Sequence, residues 1–177
     1  MKVAVFGKPG GGKSTLGLQI AAATKLPLHQ LDLVQYRRGG GKVPDAEFAR
    51  RHAEILAQEQ WVLDGFGNPQ AFAAMVRAAD VLVYVERSSW IHYWWVAKRL
   101  LKSPFSRPLG WPEGSPMWSS TISSYRFLRR SPGFWTPALK ASLLALRPGK
   151  RVHVVRRQSD VRALLAELSQ WRSNSDA

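Results

Sequence analysis

GKPGGGKS, residues 7–14, stands between an apolar run, MKVAVF (1–6), and an Ala-rich segment, KSTLGLQIAAA (13–23). The run reads as a buried strand, and Leu16, Ile20 and Ala23 at helical spacing make the segment a helix. Between them the octet satisfies G-x-x-x-x-G-K-[ST] in the setting that motif requires, directly after a strand and opening a helix. Gly10, Gly11 and Gly12 let the backbone wrap a polyphosphate and aim N–H groups at its oxygens. The helix start near Lys13 adds its positive end, Lys13 would reach the β and γ phosphates, and the Ser14 hydroxyl would ligate Mg²⁺. The expectation is ATP or GTP bound with Mg²⁺ across Gly7, Lys8, Pro9, Gly10, Gly11, Gly12, Lys13, Ser14 and Thr15. A glycine-rich turn matching by chance is the alternative.

Outward from this octet, strands and helices alternate. LPLHQLDL (26–33) reads as a strand ending at Asp32, and YRRGGGKVP (36–44) as a loop. Residues 45–60 form an amphipathic helix with Asp45 as cap, through Phe48, Ile55 and Leu56. WVLDG (61–65) and VLVYVE (81–86) are strands flanking a helix at 68–79, which has Asn68 as cap and Pro69 in its first position. Helices are expected at 88–102, 121–130 and 137–146, with a Pro/Gly-rich loop or lid at 103–118. RVHVV (151–155) is the last strand, followed by a helix at 159–171 capped by Ser159. Apolar strands alternating with helices describe an α/β fold, a parallel sheet covered on both faces. At 177 residues the chain fits a single domain, 1–177, with a helical insertion within 87–148.

Asp64 closes the strand WVLD, where a carboxylate steadies the Mg²⁺ hydration shell in phosphate-loop proteins. An ordinary Asp-Gly turn is the competing reading. DGFG (64–67) matches the D-x-x-G of GTPases, but no guanine-reading N-K-x-D occurs anywhere, which excludes that class. Gly65 follows Asp64 where motor ATPases carry a water-activating Glu. Phosphoryl transfer to a bound acceptor therefore fits better than hydrolysis, since it needs positioning and charge neutralisation more than a strong base.

These stretches together resemble adenylate kinases and their relatives: strand–GKPGGGKST, then WVLDGF, Gln70-Ala71 and VLVYVE. The closer likeness is to the small adenylate-kinase-like DNA topology modulation proteins, through HQLD (29–32), LDG (63–65), RPLGWPEG (107–114) and VHVVRRQSDVRALL (152–165). The resemblance implies a P-loop NTPase fold, a five-stranded parallel sheet of order 2-3-1-4-5 with a mobile lid. It places Arg99, Arg107, Arg126 and Arg129 in that lid over the triphosphate, with Arg130 beside them, and Arg157 near the base. Arginine suits such a lid because its fork pairs with phosphate and its charge compensates the transition state; a solvated surface charge is the plainer role for any one of them. It also sets Asp32 beside the acceptor, to orient or deprotonate its hydroxyl, against a plain loop cap. Where adenylate kinases read L-D-G-F-P-R-T, this chain has Gly67-Asn68-Pro69, so the arginine is missing and AMP is put in doubt as acceptor.

Charge adds a second theme. Lys plus Arg number 26 against 12 Asp plus Glu, a net +14. Residues 87–157 hold fourteen of the basic groups against one acid, Glu113, and six of the eight tryptophans. Such a field calls for an anionic partner: nucleotide phosphates, nucleic acid or a lipid surface. Trp90, Trp94 and Trp95 read as a stripe docking a helix on the sheet, whereas Trp111 and Trp118 could stack on a base. Basic groups interleaved with aromatics also describe a single-strand nucleic-acid groove, although no groove-reading signature accompanies them. His29 is expected to pack or face solvent, and His52 to lie on the surface.

The absence of cysteine excludes a disulfide scaffold and suits a cytoplasmic protein. MKVAVFG is too short for a signal peptide, and no apolar run nears the ~18 residues of a membrane span. The function expected is an ATP-dependent phosphotransferase acting on a nucleotide or other small hydroxylated acceptor. The alternative is a nucleotide-gated nucleic-acid-binding protein using residues 87–157.

Overall fold

The computed structural model describes residues 1–102, 117–130 and 133–175. Five parallel strands form one sheet in the order β2-β3-β1-β4-β5: β1 Lys2–Gly7, β2 Leu28–Gln30, β3 Trp61–Asp64, β4 Val81–Val85 and β5 Arg151–Val155. The register runs Val5 opposite Asp64 and Gly7 opposite Val85, which brings the ends of β3 and β4 to either side of the phosphate-loop octet.

Successive residues of a strand face opposite sides, and both sides here are covered. Val3 and Val5 of β1 pack with Val62, Val83 and Val85 under helices α1 (Lys13–Thr24) and α8 (Gln158–Ser175), through Leu16, Ile20, Val161, Leu164 and Leu168. Ala4 and Phe6 face the other layer: α3 (Asp45–Ala57), α4 (Pro69–Ala78) and α7 (Pro137–Ala145), with Phe48, Phe72, Met75 and Leu143. In that layer Phe6, Tyr84 and Trp135 stack, Tyr84 and Trp135 at 5.3 Å between ring centroids. The short α2 (Leu31–Gln35) follows β2, and the β4-to-β5 connection carries α5 (Ser89–Lys102) and α6 (Met117–Arg130) ahead of α7. No helix among the described residues is long and apolar enough to cross a membrane.

Several boundaries differ from the sequence reading. β2 stops at Gln30, so Asp32 lies in the first turn of α2 and is exposed, not at a strand end. The cause is Leu31, fully buried against Gly65, where a Cβ would come within 2.8 Å of the Leu31 Cβ. Gly65 holds φ at +134°, so this close approach needs glycine at both counts. Pro44, not Asp45, caps α3, and the Asp45 carboxylate accepts from Lys42 Nζ at 2.7 Å instead. α8 begins at Gln158, ahead of the expected Ser159 cap. There the Asp160 carboxylate takes the amides of Arg156 and Arg157 at 2.7 and 2.9 Å. α6 starts at Met117, taking in the last two residues of the expected 103–118 lid, and the rest of that lid, 103–116, lies outside the described residues. His52 is buried and stacked on Phe48, completing the inward face Phe48–His52–Ile55 of α3.

Candidate active site

Ligands of open α/β sheets bind beyond the carboxyl ends of the strands, where the strand order reverses. β1 ends there, between β3 and β4, and Gly7–Gly12 joins it to α1. Gly7, Gly10 and Gly12 adopt φ of +145°, +74° and +85°, conformations that side chains oppose. A Cβ on Gly7 would stand 2.4 Å from the Val85 carbonyl oxygen, and one on Gly10 2.8 Å from that of His92. Gly12, the N-cap of α1, offers no capping side chain, so the first amides of that helix keep no side-chain acceptor at the cap. Lys13 Nζ folds back across the loop to donate to the Lys8 carbonyl at 3.0 Å.

Asp64 sits beneath this loop, 4% exposed. Burial pushes its carboxyl up to about 6, against the downward pull of the Lys13 ammonium and a hydrogen bond from Ser14, while Asp32 adds an upward push. Its Oδ1 is buried and makes no hydrogen bond. A buried carboxylate oxygen without a donor, beside a serine hydroxyl and a lysine, is a donor set suited to a hydrated divalent cation. Ser14 and Asp64 would hold Mg²⁺ together with phosphate oxygens, and no group of three or more His, Cys, Asp or Glu side chains fit for a metal occurs among the described residues.

Asp32 belongs to the same field, being one of the charges felt by Asp64. It also lies near Tyr36, whose hydroxyl is pushed up by burial and then by Asp32. From Tyr36 the chain makes a tight excursion closed by a bridge to Lys42, with Arg37 donating to Glu47 at 2.9 Å. The 36–44 loop is thus an ordered flap beside Asp32.

The expected lid arginines fare unequally. Arg107 lies outside the described residues; Arg99 is on α5, where only its backbone is described. Arg126, Arg129 and Arg130 are exposed on α6, which packs on α5 through Tyr125 stacked on Tyr93 at 5.9 Å. Trp111 and the side chain of Trp118 also lie outside the described residues. Trp90, Trp94 and Trp95 do not dock α5: they are 68%, 58% and 51% exposed, with Lys98 over the Trp95 ring. The docking residues are His92 and Val96, spaced four apart on the opposite side. Arg157 is exposed at the start of α8, just past β5.

Two features escaped the sequence reading. His92 is buried against the phosphate loop, a polar residue on the inward side of an otherwise aromatic helix. Glu86, at the end of β4, accepts from Lys140 at 2.8 and 3.0 Å and from Arg156 Nε at 2.7 Å. Those two partners hold its carboxyl below the usual range against the effect of burial. Glu86 thus ties α7 to the loop after β5.

The sheet order 2-3-1-4-5, the glycine loop between β1 and α1, and the helices between β4 and β5 make this a P-loop type of α/β fold. Solved structures agree: a protein from Chloroflexus aurantiacus J-10-fl, provisionally described as a kinase, matches at TM-score 0.54 and 18% identity, over 96% of each chain. Shikimate kinase from Bacteroides thetaiotaomicron matches at TM-score 0.55 and 15% identity, over 97% of each chain. At these identities the likeness establishes the fold. No family model matches the chain, and neither does any curated protein.

Proposed function

We propose that the chain is an ATP-dependent phosphotransferase that moves the γ-phosphoryl group to a small hydroxylated acceptor, a nucleotide among the candidates. The observation that carries this reading is the placement of Asp64: a buried carboxylate with a bare oxygen, beneath a glycine cradle and beside Ser14 and Lys13. Burial of that charge is favourable only with a cation to receive it. Mg²⁺ bound there would neutralise charge on the phosphates and hold them in line. Lys13, released from the Lys8 carbonyl, would reach the β and γ phosphates, and Ser14 and Asp64 would hold the metal. Asp32 would orient the acceptor hydroxyl or take its proton, within the space under the 36–44 loop. The arginines of α5 and α6, with Arg107 between those helices, would add charge over the transferring group. Arg157 would lie by the base. Kinase-fold neighbours and the missing N-K-x-D support ATP over GTP.

The test is ADP production from Mg²⁺·ATP against nucleoside monophosphates, nucleosides, sugars and other polyols, with Lys13→Ala alongside. Stimulation by an acceptor, lost in the variant, is the expected result. Tight ATP binding with hydrolysis indifferent to every acceptor would count against transfer.

One observation favours a second role for the basic segment. Trp90, Trp94 and Trp95 face solvent on α5, with Lys98 over the Trp95 ring, and Arg126, Arg129 and Arg130 are exposed on α6, which packs on α5. Exposed aromatic faces interleaved with cations suit a single-stranded nucleic acid, by stacking and phosphate contact. Replacing the three tryptophans by serine should abolish oligonucleotide binding and leave ATP turnover intact. Binding that ignores salt would argue against phosphate contacts.

A further inference from the structure

α5 is more than the stem of the basic segment, because its inner face forms one wall of the phosphate loop. His92 is 1% exposed, and its Nδ1 lies 2.7 Å from the Pro9 carbonyl oxygen. A carbonyl only accepts, so the proton of that bond is assigned to Nδ1. A Cβ on Gly10 would stand 2.8 Å from the His92 carbonyl oxygen and 3.2 Å from Val96 Cγ2, and one on Gly11 3.1 Å from His92 Cε1. Gly10 and Gly11 therefore turn their bare sides to α5.

The consequence follows from peptide geometry. In a trans peptide the C=O of one residue and the N–H of the next point in opposite directions. No peptide bond among the described residues is cis. With the Pro9 oxygen held on α5, the Gly10 N–H points away from α5, into the loop. We propose that His92 is a positioning residue of the phosphate loop: its bond to Pro9 sets the Pro9–Gly10 peptide so that the Gly10 N–H is presented to bound polyphosphate. The loop alone does not fix this orientation, since glycines at 10, 11 and 12 leave the peptide free to rotate. Burial pushes the His92 ring below the usual imidazole range, and Lys13 and Lys8 push the same way, against the Pro9 bond and the Arg87 backbone. The ring is then neutral at working pH, a single-proton donor and not a charge competing for the phosphates.

This inference rests on reading residues 7–15 as a phosphate cradle, and the experiment separates the two. Affinity for Mg²⁺·ATP is measured by calorimetry on the full chain for wild type, Lys13→Ala, His92→Ala, His92→Asn and His92→Gln, with melting temperatures beside them. The Asn amide nitrogen stands near the position of Nδ1, whereas Gln fills more of the space but carries its nitrogen nearer Nε2. His92→Ala should weaken binding about tenfold, the scale for a buried polar group left unpaired. His92→Asn should recover most of that loss, and His92→Gln should not. If Gln rescues as well as Asn, or if both match wild type, His92 only fills space and the proposal falls. Should His92→Ala fail to fold, the Asn–Gln comparison decides alone. If Lys13→Ala binds Mg²⁺·ATP like wild type, the cradle reading itself fails. If Lys13→Ala loses binding while every His92 variant keeps it, only the role of His92 is refuted.

Discussion

Asp64→Asn should stabilise the free protein, and should do so only where the wild-type carboxylate is ionised. Burial raises the Asp64 carboxyl from 3.8 to about 6. The folded chain therefore binds that proton more tightly than the unfolded chain, and stability falls as pH rises between those two values. At about 1.4 kcal/mol per pH unit, the ionised carboxylate costs the fold about 3 kcal/mol above pH 6 and nothing below about pH 4. Being almost wholly buried, Asp64 needs no discount for solvent screening. Asparagine carries no charge at any pH, so its advantage over wild type should widen by about 3 kcal/mol from roughly pH 4 to pH 8. Urea unfolding of both proteins in EDTA at the two pH values measures this. Glu47, Glu86 and Asp160, all held below their usual range, lose stabilising contacts as the solution is acidified. They do so equally in both proteins and cancel in the difference. Saturating Mg²⁺·ATP should reverse the order, because the cation compensates the wild-type carboxylate and loses that charge partner in the variant. An Asn-minus-wild-type difference that stays constant with pH would refute the buried-carboxylate argument.

Three further outcomes follow from named contacts. Asp32→Asn should leave Mg²⁺·ATP affinity unchanged and lower acceptor-dependent kcat about 10²-fold or more, the scale of a lost general base, in a steady-state assay. Gly10→Ala places a side chain at φ +74° and 2.8 Å from the His92 carbonyl oxygen; a loss of about 1–3 kcal/mol in chemical unfolding is expected, with nucleotide affinity reduced as well. Trp135→Ala removes a ring stacked on Tyr84 and packed at the edge of Phe72, and should lower stability by about 3–5 kcal/mol in thermal or urea unfolding.

The centre of the sheet was legible because β1, β3 and β4 are apolar on both faces, as VAVF, WVL and VLVYV show. The tight turn at 7–12 was legible because its glycines answer a backbone demand that few other residues meet, and Gly7, Gly10 and Gly12 do adopt positive φ. Asp64 could be located from its strand, though its bare Oδ1 depends on tertiary packing that no local pattern records. Asp32 was misplaced on a strand because LPLHQLDL is apolar enough to continue one. What ends it is the burial of Leu31 against Gly65, more than thirty residues away. His52 looked exposed from its charged neighbours, yet Phe48, His52 and Ile55 share a helical face, a signal that was present and outweighed. On α5 the sequence pattern pointed the wrong way altogether. Tryptophans usually mark the buried face of a helix, but here the loop glycines leave room only for His92 and Val96, so the indoles turn outward.

That inversion links the two halves of the molecule. The residues that dock α5 are the ones that touch Gly10 and Gly11, so the helix cannot shift without disturbing the cradle. The same helix packs on α6 and carries the exposed tryptophans. A ligand gripped by the aromatic and basic side of α5 would therefore bear on the Pro9–Gly10 peptide through His92, and polyphosphate in the cradle would stiffen α5 in turn. Coupling of this kind is reciprocal, because each ligand changes the other's affinity by the same factor. An anionic partner of the basic segment should then bind with different affinity in the presence and absence of Mg²⁺·ATP, and His92→Gln should erase the difference without removing either binding surface. Equal affinity in both states for the wild-type chain would mean that α5 is a rigid wall, and that the basic segment serves the nucleotide alone.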